Sequence, residues 1–270
     1  MTIEKGWIES SIKAAIEASK VIMAVYEQDF NVDLKSDCSP VTAADKGSSS
    51  VITAILERTG FMVISEEEKI PPFEVRRHEK HLWIVDPLDG TKEFIQKNGE
   101  FCICIALVSE NKPIFGLIAS PTEETILIGG SGLGVYYFPY HTKDGLTEKY
   151  RITSLTLEKP LCVAHSRSHF SPHTQKFIDQ LKLEYGEPTV IKKGSALKFI
   201  DLALSTAHFY PRMAPTMEWD IAAGQAIYEA LGGEVLNFTN FEPLHYNKED
   251  LHNPFFIAKN KQLKLRKIDE

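Results

Sequence analysis

The segment Asp86-Pro87-Leu88-Asp89-Gly90-Thr91 follows the apolar run Leu82-Trp83-Ile84-Val85 without a break. Proline stiffens the backbone and removes an N–H, and glycine permits a tight approach. No basic residue stands beside either aspartate before Lys92. Crowded acid at a strand end is costly through repulsion and desolvation, and a divalent cation reverses that cost. The same logic recurs where the apolar run Phe61–Ile64 ends in Glu66, Glu67 and Glu68. A third acid, Asp220, opens the small-residue stretch Trp219-Asp220-Ile221-Ala222-Ala223-Gly224. Each acid has a purely structural alternative: an Asx turn for the aspartates 86–89, a helix-dipole partner for Asp220. Asp45 stands at capping-box spacing from Thr42, so it reads as a helix cap, as an acid that helps orient a water, or as both. Oxygen ligands with no His or Cys suit Mg²⁺ or Mn²⁺ rather than Zn²⁺.

The elements that must hold these acids are legible in the spacing. Apolar residues from Ile8 to Tyr26 recur at helical intervals, predicting a helix over 4–27. A polar loop through Ser36-Asp37-Cys38-Ser39-Pro40 leads to a second helix, from after Thr42 toward Thr59, stopped by Gly60. Short strands are expected at 61–64 and 82–85. The runs 101–108, 114–119, 125–128 and 135–138 alternate and have short loops, predicting an antiparallel sheet. Beyond residue 155 the pattern changes. A strand at 161–164 precedes a helix capped by Ser171-Pro172 and ending near Leu183. A helix should follow Gly194-Ser195, another runs from Asp220 to Leu231, and 255–258 is a late strand. Two subdomains without a flexible linker, 1–155 and 156–270, are the expected organisation.

At 270 residues, with 43% hydrophobic and 25% charged, the chain can bury a core without disulfides or a structural metal. A net charge of −7 gives no general pull toward nucleic acid or anionic membrane, so an anionic substrate needs a local cationic cluster or bound metal. The four cysteines, Cys38, Cys102, Cys104 and Cys162, form no C-x-x-C and read as small apolar residues of a reducing cytoplasm, with Cys102 and Cys104 on one face of a sheet. No targeting segment or membrane span is visible. Lys259, Lys261, Lys264, Arg266 and Lys267 read as a solvated tail, with peripheral contact to an inner-membrane surface as the alternative.

Taken together, Glu66-Glu67, Asp86 to Thr91 and Trp219-Asp220-x-x-Ala223-Gly224 resemble the three-part signature of the inositol monophosphatase superfamily, in matching order and separation across nearly the whole chain. Within it, Ser39 to Asp45, Lys92-Glu93-Phe94, Asn98-Gly99-Glu100-Phe101, Ser166-Arg167-Ser168-His169, Gly194-Ser195-x-Leu197-Lys198-Phe199 and Tyr210-Pro211-Arg212 are similar to the bacterial 3'(2'),5'-bisphosphate nucleotidases of the CysQ type. The stretch from Arg212 to Glu218 matches less well.

The resemblance implies an α/β (α+β) layered sandwich of alternating helices and sheets: an antiparallel sheet in the first half, a mixed one in the second, the site between them. It implies a lithium-sensitive phosphomonoesterase of sulfur assimilation, using two or three Mg²⁺ ions on adenosine 3',5'-bisphosphate. Activity on 3'-phosphoadenosine 5'-phosphosulfate stays open. By resemblance, Glu66, Asp86, the carbonyl of Leu88, Asp89 and Asp220 hold metal, and Asp45 and Thr91, with Glu66, serve the attacking water. His169, Ser195, Lys198 and Arg212 contact the nucleotide, and Glu66, Leu88, Asp89, Gly90, Thr91 and Asp220 contact the reacting phosphate.

Rival chemistries fit less well. Aspartyl-phosphate phosphatases place one residue between paired aspartates, and here there are two. A cysteine phosphatase needs C-x5-R, whereas Cys162 and Arg167 have four residues between them. Inositol monophosphatase or fructose bisphosphatase activity on the same metal core is the enzymatic alternative. A nucleotide- or metal-sensing protein is the non-enzymatic one.

Overall fold

The structure, a computed structural model, describes residues 2–35, 40–143 and 145–265. The elements in chain order are α1 (Lys5–Tyr26), β1 (Asp33–Leu34), β2 (Pro40–Val41), α2 (Ala43–Leu56), β3 (Met62–Ser65), α3 (Phe73–Arg76), β4 (His81–Asp89), α4 (Thr91–Ile95) and β5 (Cys102–Ser109). There follow β6 (Lys112–Ser120), β7 (Thr125–Gly130), β8 (Gly134–Pro139), β9 (Arg151–Ile152), β10 (Cys162–Ser166), α5 (Pro172–Tyr185), β11 (Thr189–Lys193) and α6 (Lys198–Ala203). The chain closes with β12 (Phe209–Arg212), α7 (Glu218–Ala230), β13 (Gly233–Asn237) and β14 (Phe256–Asn260).

Seven strands, in the order β3-β4-β5-β6-β7-β8-β9, form one sheet, and five, in the order β11-β10-β12-β14-β13, form another. Period-two alternation sends side chains of the first sheet to two cores. Trp83, Val85, Ile103, Ile105 and Leu107 meet α1 and α2, which bury Ala14, Ala15, Ala18 and Ile52. Leu82, Ile84, Cys104 and Ala106 meet Ile221, Ala222, Ala223 and Phe199 of α7 and α6. The outer face of the second sheet is covered by Phe177 and Leu181 of α5, which pack on Val163, Phe209 and Ile257. The order of layers is helix, sheet, helix, sheet, helix, the alternating sandwich expected.

Strands β5 to β8 are antiparallel, as their alternation predicts, but at the other edge of the sheet β3 runs parallel to β4. Strand β4 also continues past Asp86 instead of turning there. Its register against β5 pairs Asp86 with Cys104 but Asp89 with Cys102, so one extra residue bulges out. In a regular strand, residues three apart point to opposite faces. The bulge cancels that flip and returns Asp89 to the side of Asp86. Proline, which has no N–H to lose from the ladder, sits inside the bulge.

Helix α7 lies so close to β6 that a Cβ on Gly116 would stand 2.1 Å from the Ala223 carbonyl oxygen. Gly116→Ala should push the helix off the sheet, at about 1–3 kcal/mol for overpacking. That corresponds to a thermal midpoint lower by about 2–4 °C per kcal/mol. An unchanged midpoint in a melting experiment would contradict this seating of α7.

Candidate active site

The acids reach one place because backbone pairing puts them there. In the parallel register Ser65 stands beside Val85, and the Glu66 amide continues the ladder by donating to the Val85 carbonyl (3.2 Å). Glu66 therefore emerges next to Asp86. Asp220 arrives from α7, whose first turn lies over this sheet end. Carboxylate oxygens of Glu66, Asp86 and Asp220 lie within 4.8 Å of one another. Asp89 stands just outside this trio, its carboxylate within 4.8 Å of the Cys102 and Cys104 thiols and accepting from the Ala196 amide at 2.5 Å.

The structural alternatives are realised as well. Asp86 accepts from the Leu88 amide (2.9 Å), an Asx-type turn inside the bulge. Asp45 accepts from the Thr42 amide (2.7 Å) and hydroxyl (2.6 Å), completing a capping box for α2. Asp220 makes the same reciprocal bond to the Met217 amide (2.9 Å) at the start of α7. Neither cap exhausts its carboxylate. The second oxygen of Asp45 accepts the Thr91 hydroxyl at 3.0 Å, and that hydroxyl also lies 3.4 Å from the Leu88 carbonyl. One acid thus ends a helix and orients a hydroxyl.

A cavity of about 320 Å³ opens on the cluster. Eleven of the twelve predicted site residues line it: Glu66, Asp86, Leu88, Asp89, Gly90, Thr91 and Asp220, together with His169, Ser195, Lys198 and Arg212; Asp45 sits behind Thr91. Gly90, in the left-handed region at φ 98°, lets the chain turn where a Cβ would meet the Glu100 carbonyl at 3.0 Å and Ser195 Cβ at 3.2 Å.

On the far wall the expected helix does follow Gly194-Ser195. Ser195 is not in a helix: it has φ 49°, and α6 begins only at Lys198. Lys198 is 2% exposed, with its ammonium turned back to the Ser195 carbonyl and to the Lys193 carbonyl (3.1 Å). An ammonium has three donors, so one N–H is left for the cavity. Burial lowers its pKa to about 8 despite the nearby Asp89 carboxylate. Arg212 donates to the Pro215 carbonyl (3.3 Å), while its buried Nε has no partner. The His169 ring lies 3.3 Å from the Ser166 hydroxyl, and burial, with Arg212 next, lowers its pKa and favours the neutral imidazole.

Other contributors stand outside the predicted set of site residues. Lys35 reaches from the loop after β1 to Glu66 (2.8 Å) and Glu67 (2.5 Å). The two carboxylates outweigh its burial and raise its pKa. No motif or periodicity marks this residue. Glu93, 6% exposed, lines the cavity and accepts the Ser168 hydroxyl at 2.8 Å. Lys259, assigned to a solvated tail, is instead a buried residue of β14 paired with Glu234 (2.6 Å). Arg266 and Lys267 of that tail lie outside the described residues, as do Ser36 to Ser39 of the loop before β2. Cys102 and Cys104 do share a face, their sulfurs 3.9 Å apart.

Burial first, then the charges of Glu66, Asp89 and Asp220, raises the Asp86 pKa well above the usual carboxylate range. Asp220 is raised well above it too, by burial and then by Asp89 and Glu66. Asp89 is pushed up to about 6 by burial, against the pull of Lys198. Clustered oxygen donors whose charged forms are disfavoured by burial and mutual repulsion fit a divalent metal.

A sequence profile of the Inositol monophosphatase family matches residues 5–267. The chain belongs to the inositol monophosphatase family. Its curated relatives include the 3'(2'),5'-bisphosphate nucleotidase CysQ of Escherichia coli strain K12, 36% identical over 253 residues, 92% of this chain and 98% of that protein. Among solved structures, CysQ from Bacteroides thetaiotaomicron superposes with a TM-score of 0.84 at 41% identity, over 94% of this chain and 96% of that one. The extragenic suppressor protein suhB of Bartonella henselae, at 23% identity and TM-score 0.74 over 94% of each chain, shares the fold. The family is metal-dependent, and the acidic groups described above could hold such a metal. Among the described residues, no helix is long and apolar enough to cross a membrane.

The raised pKa values have a consequence for stability. In the unfolded chain an aspartate titrates near ~3.9. Folded, Asp89 is pushed up to about 6, and Asp86 and Asp220 are raised well above the usual carboxylate range. The folded state thus binds more protons, and this contribution to stability is complete below the unfolded value and lost as pH rises through the folded ones. The thermal midpoint of chelator-treated protein should fall as pH rises from about 4 through about 6, and a divalent cation should restore it. Asp86→Asn, which keeps an acceptor for the Leu88 amide, should flatten the fall. The same slope in wild type and Asp86→Asn would show that the crowded acids are not its source.

Proposed function

We propose that this protein is a Mg²⁺-dependent phosphomonoesterase that hydrolyses adenosine 3'(2'),5'-bisphosphate to AMP and phosphate by direct attack of water. The observation that carries the reading is the mixed lining of one cavity, which joins the carboxylates Glu66, Asp86, Asp89 and Asp220 to Lys198, Arg212 and His169. A substrate with one phosphate for the metal and a second anionic group for the cations matches that lining. The nucleotidase names of the relatives support the same substrate.

In this reading Glu66, Asp86, Asp89, Asp220 and the Leu88 carbonyl hold two or three ions. Bound there, the ions supply charge neutralisation for the phosphate and a lowered pKa for water. The chain's own part is orientation and proton handling. Thr91 gives its hydroxyl hydrogen to Asp45, which leaves its oxygen lone pairs free to accept from a water in the cavity. Asp45 then takes the proton through that hydroxyl, with Glu66 beside the same water. No protein nucleophile is required, and none of the three described cysteines lines the cavity. Arg212 offers a planar fork to the second phosphate, and Lys198 a single N–H beside Ser195 and His169. A cytoplasmic setting belongs to the same proposal and is supported by the free thiols.

A panel of adenosine 3',5'-bisphosphate, inositol 1-phosphate and fructose 1,6-bisphosphate tests the reading. The first should be preferred. Preference for either of the others would replace it with an inositol phosphate or sugar phosphate specificity on the same metal core. No phosphate release from any would favour a sensor. Charge-assisted bonds of about 1.5–3 kcal/mol predict that Arg212→Ala lowers kcat/KM for the bisphosphate roughly 10- to 150-fold. The effect on a monophosphate without the second group should be much smaller. Equal losses on both would remove Arg212 from the specificity site. Lys198→Ala is a less clean probe, because its ammonium also ties the turn at 193–195.

Lithium offers a separate check, resting on membership of the family. Li⁺ in an oxygen-lined site brings a single charge, too little to stabilise a transferring phosphate. LiCl should inhibit where equal KCl does not, and matching responses to the two salts would contradict this.

A further inference from the structure

Glu100 precedes β5, does not line the cavity, and yet meets two of the three segments that form its cationic wall. One carboxylate oxygen accepts Arg167 Nε (2.7 Å) and the Gly194 amide (2.7 Å), and the other accepts Arg167 Nη2 (2.6 Å). Exposed ion pairs usually contribute little. This one is a bidentate fork with a backbone amide added, and the side chain of Glu100 is only 21% exposed. Arg167 also donates to the Lys192 carbonyl (3.1 Å), and its amide to the Lys193 carbonyl (3.2 Å). The fork therefore ties residues 166–169 to the end of β11 and both to the first half of the chain. Burial alone would raise the Glu100 pKa, but Arg167 and the Gly194 amide bring it below the usual range, so the carboxylate stays charged.

Two further carboxylates grip the same segments. Glu93 holds Ser168, next to His169, and Asp89 holds the Ala196 amide, next to Ser195. Lys198 in turn hangs on the carbonyls of Lys193 and Ser195. Gly194 allows this closeness, since a Cβ there would stand 2.7 Å from Glu93 Cγ and 2.8 Å from the Glu100 carbonyl. Of the three acids, Glu100 alone lies outside the cavity lining, so whatever it does, it does through the residues it holds.

We propose that Glu100 is a positioning residue for substrate specificity: it fixes the 166–169 and 193–198 segments so that His169, Ser195 and Lys198 face the second anionic group of the substrate. The inference rests on the nucleotidase reading for the identity of that group, though not for the existence of the clamp. Losing the clamp should loosen binding of the part of the substrate that does not react, and leave the acidic end, built on β3, β4 and α7, in place.

Steady-state kinetics of wild type, Glu100→Ala, Glu100→Gln and Arg167→Met test it, with thermal midpoints recorded for each. Wild-type preference across the substrate panel judges the nucleotidase reading first. For Glu100→Ala, KM for adenosine 3',5'-bisphosphate should rise on the order of tenfold, with kcat changed about threefold or less. KM for a monophosphate lacking the second group should barely move. Glu100→Gln, which keeps an oxygen for the Gly194 amide, and Arg167→Met, which leaves that bond intact, should fall between wild type and Glu100→Ala. If wild type prefers fructose 1,6-bisphosphate, the nucleotidase reading falls, and KM for that substrate, which also carries a second phosphate, becomes the measure of the clamp. An unchanged KM for the preferred substrate overturns the proposal. So does a drop in kcat for every substrate that follows the loss of thermal stability, because that would make Glu100 a general brace.

Discussion

Like charges forced together out of water are the constraint on which this fold turns. Glu66, Asp86 and Asp220 are held within 4.8 Å of one another by elements whose seating owes nothing to the acids themselves. A parallel strand pair fixes the first two, and a helix packed hard against β6 fixes the third. The free energy for this comes from the apolar layers on both sides of the sheet, where Trp83, Val85 and Ile105 face one way and Ile84, Cys104 and Ala106 the other. Lys35 offsets part of the repulsion by pairing with Glu66 and Glu67. Asp86 and Asp220 have no such partner, and their raised pKa values are the direct result.

The cationic residues of the cavity solve the complementary problem. An acidic chain must gather cations at one point without letting them collapse onto the carboxylates nearby. Lys198 is kept back by two backbone carbonyls and Arg212 by the Pro215 carbonyl. Two of the three segments that carry this wall are themselves anchored on carboxylates of the first half. Both halves of the sequence are needed for the site: Glu66, Asp86 and Asp89 come from the first, and Asp220, Lys198 and Arg212 from the second.

Much of this was legible before any coordinates. The helical spacing of Ile8 to Tyr26 and the alternation through 101–138 identify the elements, because one-sided burial leaves its period in the sequence. Asp45 shows why chemistry was legible too: its capping-box spacing is visible, and the same carboxylate oriented toward Thr91 is what the cap leaves over. Less local features were hidden. A strand interrupted by Pro87 looks like a strand that ends, since the bulge is defined only by pairing with Cys102 and Cys104. Strand β11 is an edge strand, largely exposed, and so carries no alternation. Ser195 and Lys198 have the spacing of one helical turn, but the positive φ at Ser195 breaks it. Lys35 and Glu100 act on partners 31 and 67 residues away, a distance no local pattern records.

The central claim is that the buried carboxylates are kept in place to be neutralised by divalent cation. Calorimetric titration of MgCl₂ into chelator-treated protein near pH 6.5, in two buffers of different ionisation enthalpy, measures binding and proton release together. Saturable binding with release of protons is predicted, because Asp86, Asp89 and Asp220 must give them up to accept a metal. Asp86→Asn should weaken the binding and reduce the protons released. Binding that is absent in wild type, or unchanged in affinity and proton count by Asp86→Asn, would contradict the account.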